Sequence, residues 1–402
     1  MRYPSIIHTR LHKPLPIFHY YLPPPTKPSP MAKSTTWLLL LLLATVVIPI
    51  SISIVLYRLQ PEGFDPVPLA GYSFGESVAV AEKRLGIAAS SERIGEGLLP
   101  GPEDLAYDGE SGYLYTGCAD GWVRRVRVAA DEPEVEDWAH VVGGRPLGIA
   151  LGPNKSLLVA DAFKGLLRVK EDRSVSLLTD EAEGLKFAFT DGVDVASDGT
   201  IYFTDASYKF DLHTYLLDIL GGHPYGRLMS FDASTNQTLV LARDLYFPNG
   251  VSLSPDQKSL IFCETVLRKC KRYHIQGDKK GKLETFIDNL PGFPDNIRYD
   301  GEGHYWIALS VGRTMVWDML IKYPFLRKVM VAVGKYVRIP QTERDSGVLS
   351  VTPDGKPVAL YSDPDLNLVT GGLKIGKHLY YGSLVKPYIS RIDLAKNVAD
   401  GE

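Results

Sequence analysis

The sequence predicts an all-β fold, a six-bladed β-propeller with an N-terminal transmembrane helix and small helical insertions. Three observations predict it. A four-residue motif occurs six times, each copy precedes a short strand-like run bounded by Gly, Asp or Asn, and successive copies lie 44 to 76 residues apart. A strand, a hairpin and a second strand repeated at such a period are typical of propeller blades.

Residues 1–58 differ in composition from the rest of the chain. Residues 1–36 carry five basic and no acidic side chains, which is typical of an unstructured leader. Residues 37–57 are uncharged and long enough to cross a bilayer, which needs roughly 20 residues. This length favours an uncleaved signal anchor over a removed signal peptide. Met31 is an alternative start site that would exclude residues 1–30.

The basic residues that precede the anchor predict its orientation. The positive-inside rule leaves the N-terminus in the cytosol and the propeller in the lumen of the secretory pathway, in the endoplasmic reticulum, the vacuole or at the cell surface. Two sequons, at Asn154 and Asn236, predict glycosylation and agree with a lumenal propeller. Of the three cysteines, Cys263 and Cys270 flank a predicted hairpin, where they either pair or remain buried thiols like Cys118.

The charge beyond residue 58 limits the possible partners. This part of the chain has 38 basic and 47 acidic residues, because the first 58 residues hold six of the 44 basic residues and none of the acidic ones. A net charge near −9 argues against nucleic acid as a partner and is compatible with a bound cation. The predicted partners are the membrane, through residues 37–57, and a small molecule.

The repeat defines the domain organisation. Residues 58–94 are predicted to form a linker and the start of the propeller, and residues 95–402 its six blades. The motif copies are Pro102–Leu105, Pro146–Ile149, Thr190–Val193, Pro248–Val251, Pro294–Ile297 and Thr370–Leu373.

Two long steps between copies predict insertions. One, around residues 210–220, resembles a short helix, and the other, residues 315–338, an amphipathic helix broken at Pro324. Both are expected to form a lid over one mouth of the channel. The second insertion either packs as a structural cap or rests on the membrane.

The second position of each copy is expected to point into the central channel. These positions hold, in order, Glu103, Leu147, Asp191, Asn249, Asp295 and Gly371. Four of the six are oxygen ligands, and Ca²⁺ binds carboxylates and amide carbonyls. The sequence therefore predicts a calcium site formed by Glu103, Asp191, Asn249 and Asp295. At the third position, Asp104 and Asn296 are expected to orient these ligands or to bind a metal-bound water.

The longer motifs Pro248–Val251, Gly292–Ile297 and Gly144–Ala150 with Ala160–Leu166 resemble the strictosidine synthase-like family. The resemblance covers about residues 95–394 and extends to plant members and to the adipocyte plasma membrane-associated protein. The wider group is similar to paraoxonases, gluconolactonases and diisopropyl-fluorophosphatases, six-bladed propellers with a catalytic calcium. The resemblance implies Glu103, Asn249 and Asp295 as ligands, with Asp191 where paraoxonases have Asn.

Two departures from this group bear on the reaction. Strictosidine synthase uses a glutamate in its last blade, and this chain has Thr370 at or beside that position, where the residue would instead contact substrate or support the ligands. Paraoxonases have a His where this chain has Leu147. A base would then come from the lid, with His213 and His223 as candidates. Asp205, Tyr208 and Lys209 are further candidates for contacting substrate.

These observations predict a membrane-anchored, lumenal, calcium-dependent hydrolase of small esters or lactones, without true strictosidine synthase activity. The first alternative is a non-catalytic ligand-binding or structural propeller whose calcium clamps the blades. The second is a strictosidine synthase-type enzyme that condenses an amine with an aldehyde.

Overall fold

The structure is a computed structural model that describes residues 30–58, 63–128, 133–335 and 344–396. Most of the predicted basic leader, residues 1–29, lies outside these ranges. The chain forms two compact units, Met1–Leu59 and Gln60–Glu402. The first contains α1 (Pro30–Leu42), a π-helical turn (Leu43–Val47) and α2 (Ile48–Arg58). Residues Thr35–Val55 of this helical stretch have the length and composition of a membrane span.

The second unit is a six-bladed propeller, as predicted. Each blade is built on antiparallel strands whose first strand lies innermost, and the inner strands of neighbouring blades contact one another around the whole ring. Two strands, β1 (Glu82–Leu85) and β2 (Glu92–Ile94), precede blade one in the chain.

The strands of blades one to three follow in chain order. Blade one contains β3 (Leu105–Asp108), β4 (Tyr113–Gly117), β5 (Trp122–Arg127) and β6 (Glu134–His140). Blade two contains β7 (Pro146–Leu151), β8 (Leu157–Asp161), β9 (Gly165–Val169) and β10 (Val175–Thr179). A small hairpin, β11 (Glu181–Ala182) and β12 (Leu185–Lys186), leads to blade three, which contains β13 (Thr190–Val195), β14 (Ile201–Asp205), β15 (Gly226–Asp232) and β16 (Gln237–Leu245).

Blades four to six complete the ring. Blade four contains β17 (Pro248–Leu253), β18 (Ser259–Glu264), β19 (Lys269–His274) and β20 (Leu283–Ile287). Blade five contains β21 (Gly292–Tyr299), β22 (Tyr305–Gly312), β23 (Ser346–Val351) and β24 (Pro357–Asp363), and blade six contains β25 (Val369–Ile375), β26 (His378–Ser383) and β27 (Ile389–Asp393).

The two early strands fasten the last two blades. Strand β2 pairs antiparallel with β27 and supplies the fourth strand of blade six. Strand β1 pairs in parallel with β24 at the outer edge of blade five. The 3₁₀ turn Ile87–Ser90 connects β1 to β2. Residues 58–94, predicted to form a linker and the start of the propeller, therefore contribute two strands to the sheets.

The insertions are helical, as predicted. Blade three carries α3 (Tyr215–Gly221), and blade five carries α4 (Met315–Lys322) and α5 (Pro324–Gly334). The chain breaks at Tyr323 because Pro324 cannot continue the preceding helix but fits the first turn of the next one. The Thr314 side chain accepts a hydrogen bond from the Trp317 amide and so caps α4.

Apolar side chains fill the spaces between neighbouring blades, and one disulfide ties two strands together. Cys263 and Cys270 lie directly opposite each other on β18 and β19 and form this disulfide. Of the two alternatives for this pair, the structure shows the bonded one. Cys118 is a free, buried thiol.

Candidate metal centre

The motif residues surround the channel axis, and five of the six inner strands are irregular at the same place. In five blades the register with the second strand shifts across the second and third motif positions, as between Pro146 and Ile149. Such a bulge re-aims side chains out of the regular alternation. In blade six the shift follows Val369, so the second position is Thr370, and the expectation of Gly371 there was wrong by one residue.

We call the six second-position residues the ring. They come from all six blades, and all are buried: Glu103, Leu147, Asp191, Asn249, Asp295 and Thr370. Glycine at most of the third positions lets neighbouring inner strands approach closely. A Cβ on Gly192 would lie 2.7 Å from the Asn249 carbonyl oxygen, and one on Gly371 would lie 2.6 Å from that of Glu103.

Several oxygens at the second and third motif positions are buried without a hydrogen-bond donor. Asn296 Nδ2 donates to Glu103 Oε1 at 2.7 Å, which leaves Glu103 Oε2 without a partner. The side-chain carbonyl oxygens of Asn249 and Asn296 are also buried and unpartnered. Buried acceptors of this kind are costly unless a donor or a cation satisfies them.

Burial and mutual repulsion disfavour ionisation of the ring carboxyls. Burial raises the pKa of Glu103, and the charges of Asp295 and Asp191 raise it further. Burial raises the pKa of Asp191 in the same way, with repulsion from Asp295. Burial raises the pKa of Asp295 to about 8, although hydrogen bonds with Ser310 and Asn249 oppose this. A cation at the ring would reverse these effects.

An arginine crosses the channel on one side of the ring. Arg298, from blade five, forms an ion pair with Asp104 of blade one, and Arg298 Nη1 donates to the Val193 carbonyl oxygen at 3.0 Å and Nη2 to that of Ile149 at 2.7 Å. The Asp104 carboxylate also accepts hydrogen bonds from the Leu105 and Ile149 amides. Asp104 is thus occupied by Arg298 and two backbone amides, and Arg298 joins blades one, two, three and five.

A second arginine influences the ring charge. Arg145 is buried just before the motif of blade two, where its guanidinium donates to the Gly101 carbonyl oxygen at 2.9 Å. Its charge lowers the pKa of Glu103, against the larger effect of burial. Apart from the Asp104–Arg298 pair, the ring therefore has three carboxyls against one guanidinium. When they are ionised, two negative charges remain in excess, which a divalent cation would neutralise.

The acids at the ends of the second strands hold the inner strands in place. Asp205 accepts a hydrogen bond from the Phe189 amide at 3.1 Å and pairs with buried Arg227 at 2.7 Å. Asp205 is fully buried, and in this structure its carboxylate is occupied by these two partners. Lys209 donates to the Tyr225 hydroxyl at 3.0 Å, and the Tyr208 ring packs edge-on against Tyr225.

The channel end where the inner strands begin is covered by apolar side chains. We call this cover the mouth cluster. It contains ring residue Leu147, the residues before two inner strands, side chains from α3 and α4, and two residues from the segment that precedes β1. These residues are Phe189, Phe247, Tyr215, Ile219, Trp317, Ile321, Leu69 and Tyr72. The candidate bases lie around the insertions: His213 stacks on Phe163, and His223 Nε2 is 3.0 Å from the Asp65 carbonyl oxygen.

The ring chemistry fits a hard cation, although the side chains are not gathered into a carboxylate cage. Within the described ranges, no three His, Cys, Asp or Glu side chains are grouped so that they could hold a metal ion. In this arrangement Glu103 is bonded to Asn296, and one of the four candidate ligands is an amide. The unpartnered oxygens of Glu103 and Asn249 and the excess negative charge are the features that fit calcium.

Comparison with known proteins identifies the family. A family model described as strictosidine synthase matches residues 191–278, and one described as strictosidine synthase-like, N-terminal, matches residues 89–126. The Arabidopsis thaliana protein STRICTOSIDINE SYNTHASE-LIKE 6 is 50% identical over 362 residues, which cover 89% of this chain and 96% of that protein. This chain belongs to the strictosidine synthase-like family. Another similar protein is the adipocyte plasma membrane-associated protein of Danio rerio, 36% identical over 328 residues, which cover 76% of this chain and 78% of that protein.

Solved structures share the fold of this family member. A gluconolactonase from Xanthomonas campestris matches with a TM-score of 0.55 at 16% identity, covering 83% of this chain and 98% of that one. Regucalcin from Agrobacterium tumefaciens, described as a calcium-binding protein, matches with a TM-score of 0.54 at 16% identity, covering 78% of this chain and 95% of that one. At such low identity these matches show the propeller fold alone.

Proposed function

We propose that this strictosidine synthase-like protein is a membrane-anchored, calcium-dependent hydrolase of small esters or lactones. The observation that carries the proposal is the ring, where buried oxygens of Glu103 and Asn249 lack donors beside two further carboxyls. Glu103, Asp191, Asn249 and Asp295 would hold the ion. Calcium would supply Lewis-acid polarisation of an ester or lactone carbonyl. The gluconolactonase and the calcium-binding protein with the same fold agree with this chemistry.

The surroundings of the ring match such a reaction. The mouth cluster would exclude water and contact the apolar part of a substrate, and the Arg298–Asp104 pair would limit access from the other side of the ring. Asn296 donates a hydrogen bond to Oε1 of Glu103, and Oε2 has no hydrogen-bond partner and could bind the ion. His213 and His223 remain the proposed sources of a base, supplied from the insertions.

We further propose that the propeller lies in the lumen of the secretory pathway. The Cys263–Cys270 disulfide supports this placement because disulfides persist in oxidising compartments. The sequons at Asn154 and Asn236 both lie in exposed turns, where oligosaccharide addition is sterically possible.

One observation favours a non-catalytic alternative. Leu147 occupies a ring position and packs in the mouth cluster, so blade two offers no polar group there. In that alternative, calcium would clamp the inner strands together without turnover. The condensing reaction is disfavoured because Thr370 stands in blade six and its hydroxyl donates to the Glu103 carbonyl oxygen at 2.9 Å.

Assays of the purified full-length protein on aryl esters and lactones, with calcium or with EGTA, test the proposal. Hydrolysis should be lost in EGTA and in Asn249→Ala and Asp295→Ala, and should persist in the control Asp198→Asn, which alters an exposed turn carboxylate. Turnover that survives EGTA and both ring substitutions would contradict the calcium mechanism. If no substrate turns over but calcium raises the melting temperature, the structural alternative is correct.

A further inference from the structure

The paired helices α4 and α5 expose an unusual number of large apolar side chains. Met315 is 84% exposed, Val316 68% and Phe325 63%, and Met319 and Tyr323 are also exposed. Scattered apolar residues are normal on the surface of soluble proteins. Five of them within the eleven residues 315–325 mark a surface that contacts a partner or a membrane. We call these five residues the apolar face.

The apolar face is distinct from the side of the helices that packs on the propeller. Met315, Val316 and Met319 follow helical spacing on one side of α4, and Tyr323 follows the end of that helix. Ile321 is buried on another side, in the mouth cluster, and Trp317 contacts Phe293 with ring centroids 5.0 Å apart. Helix α4 is therefore apolar on two sides, and the propeller core covers one of them.

The chain that leaves the membrane anchor is fixed to these same helices. Residues 63–75 of the propeller unit form a strap across them. The Tyr72 hydroxyl donates to Asp318 of α4 at 2.7 Å, and fully buried Arg327 of α5 donates to the Val67 carbonyl oxygen. Lys328 of α5 forms an ion pair with Asp65 at 3.1 Å.

The strap limits how far these helices can be from a bilayer. Only six residues, 59–64, separate the end of α2 at Arg58 from Asp65. An extended chain spans at most about 3.5 Å per residue, so this connection reaches about 25 Å. A membrane that holds residues 35–55 is thus within reach of α4 and α5 by covalent connection alone.

We propose that the apolar face of α4 and α5 inserts into the surface of the bilayer that the N-terminal segment spans. Amphipathic surface helices bury their apolar residues shallowly, at the boundary between headgroups and acyl chains. The exposed Lys322 and Lys335, which lie beside Tyr323 and at the end of α5, would extend their charged ends toward the headgroups and water. The propeller is then attached to the membrane at two places, and the mouth cluster beneath α4 lies next to lipid.

Single cysteine labels on the full-length protein test this contact. The chain has three native cysteines, of which Cys118 is buried and the other two are disulfide-bonded, so an introduced surface cysteine can be labelled selectively. Met319→Cys and Phe325→Cys carry a fluorophore on the apolar face. Leu239→Cys is the control, because it is similarly exposed but lies on the outer strand of blade three, near the hairpin turn farthest from the mouth.

The protein is reconstituted into phosphatidylcholine vesicles containing phosphatidylserine, with or without lipids that carry a quencher in the acyl chain. We expect the acyl-chain quencher to reduce emission from the two face labels several-fold more than emission from the control label. Equal quenching at all three sites, with the face labels open to a water-soluble quencher, would overturn the proposal. Energy transfer between labelled copies that persists on dilution into excess lipid would also overturn it, because the face would then bind a second copy.

Discussion

Arg298 and Asp104 form the axial ion pair. Replacing Arg298 by methionine removes the positive charge of this pair while keeping most of the side-chain volume. Asp104 would stay buried with two backbone donors, and the carbonyl oxygens of Val193 and Ile149 would each lose a donor. Breaking a buried ion pair on one side costs about 3–5 kcal/mol because the remaining charge is uncompensated. Since Asp104 keeps its two amide donors, we expect a loss near the lower end, about 3 kcal/mol.

The measurement is urea unfolding of the full-length protein in detergent, followed by tryptophan fluorescence. The double variant Asp104→Leu with Arg298→Met removes both charges and should be more stable than Arg298→Met alone, because no buried carboxylate is left without a cation. Arg243→Met is the matched control, since its ion pair with Glu183 is exposed and should matter little. If Arg298→Met unfolds at the same urea concentration as this control, the axial pair does not hold the blades together.

The other predictions concern titration, thiols and glycans. Burial raises the pKa of Asp218 to about 7, so ionisation of this carboxyl opposes folding. The melting temperature of the wild type should therefore fall more between pH 4 and pH 7 than that of Asp218→Asn. Equal pH profiles of the two melting temperatures would contradict this. Alkylation of the unfolded protein without reductant should modify Cys118 alone, whereas alkylation after reduction should modify all three cysteines, as counted by mass spectrometry. Three modified thiols without reductant would rule out the Cys263–Cys270 disulfide. If the propeller is lumenal, Asn154→Gln and Asn236→Gln should each remove one glycan from the protein made in secretory cells, and an unglycosylated wild type would contradict that placement.

The sequence predicted the ring because the repeat marks one position in every blade. The motif gave five of the six ring residues directly, and the break between α4 and α5 followed from Pro324. The register of blade six was wrong by one residue because two glycines follow Thr370. Only the pairing of Val369 with Ser383 shows which residues lie in the bulge.

The axial arginine was not predicted because its partners leave little trace in the sequence. Arg298 binds backbone carbonyl oxygens of two other blades, and any residue type can supply those. One signal was available. At the fifth position of the repeat, Arg298 and Asp194 carry opposite charges, and in the structure the guanidinium lowers the pKa of Asp194 against the larger effect of burial. Comparing every register of the repeat would have found this pair.

The covered mouth was also only partly predictable. The insertions indicated a lid, but the contribution of Leu69 and Tyr72 depends on a strap that crosses helices far away in the chain. Contacts across such sequence distances follow from tertiary packing and have no local pattern. The same is true of β1 and β2. Residues 58–94 were expected to hold a linker and the start of the propeller, but no local pattern shows which blades these two strands join.

The pairing of β2 with β27 has a consequence for how the protein is made. Glu92 lies opposite Arg391, so the strand that closes the ring is synthesised near the beginning of the chain and its partner near the end. Until the ribosome has released the last blade, β2 has no partner and its exposed edge is open to wrong pairing. A stop codon at residue 388 would delete only a short tail, yet it would remove β27 and leave β2 without its partner strand in blade six.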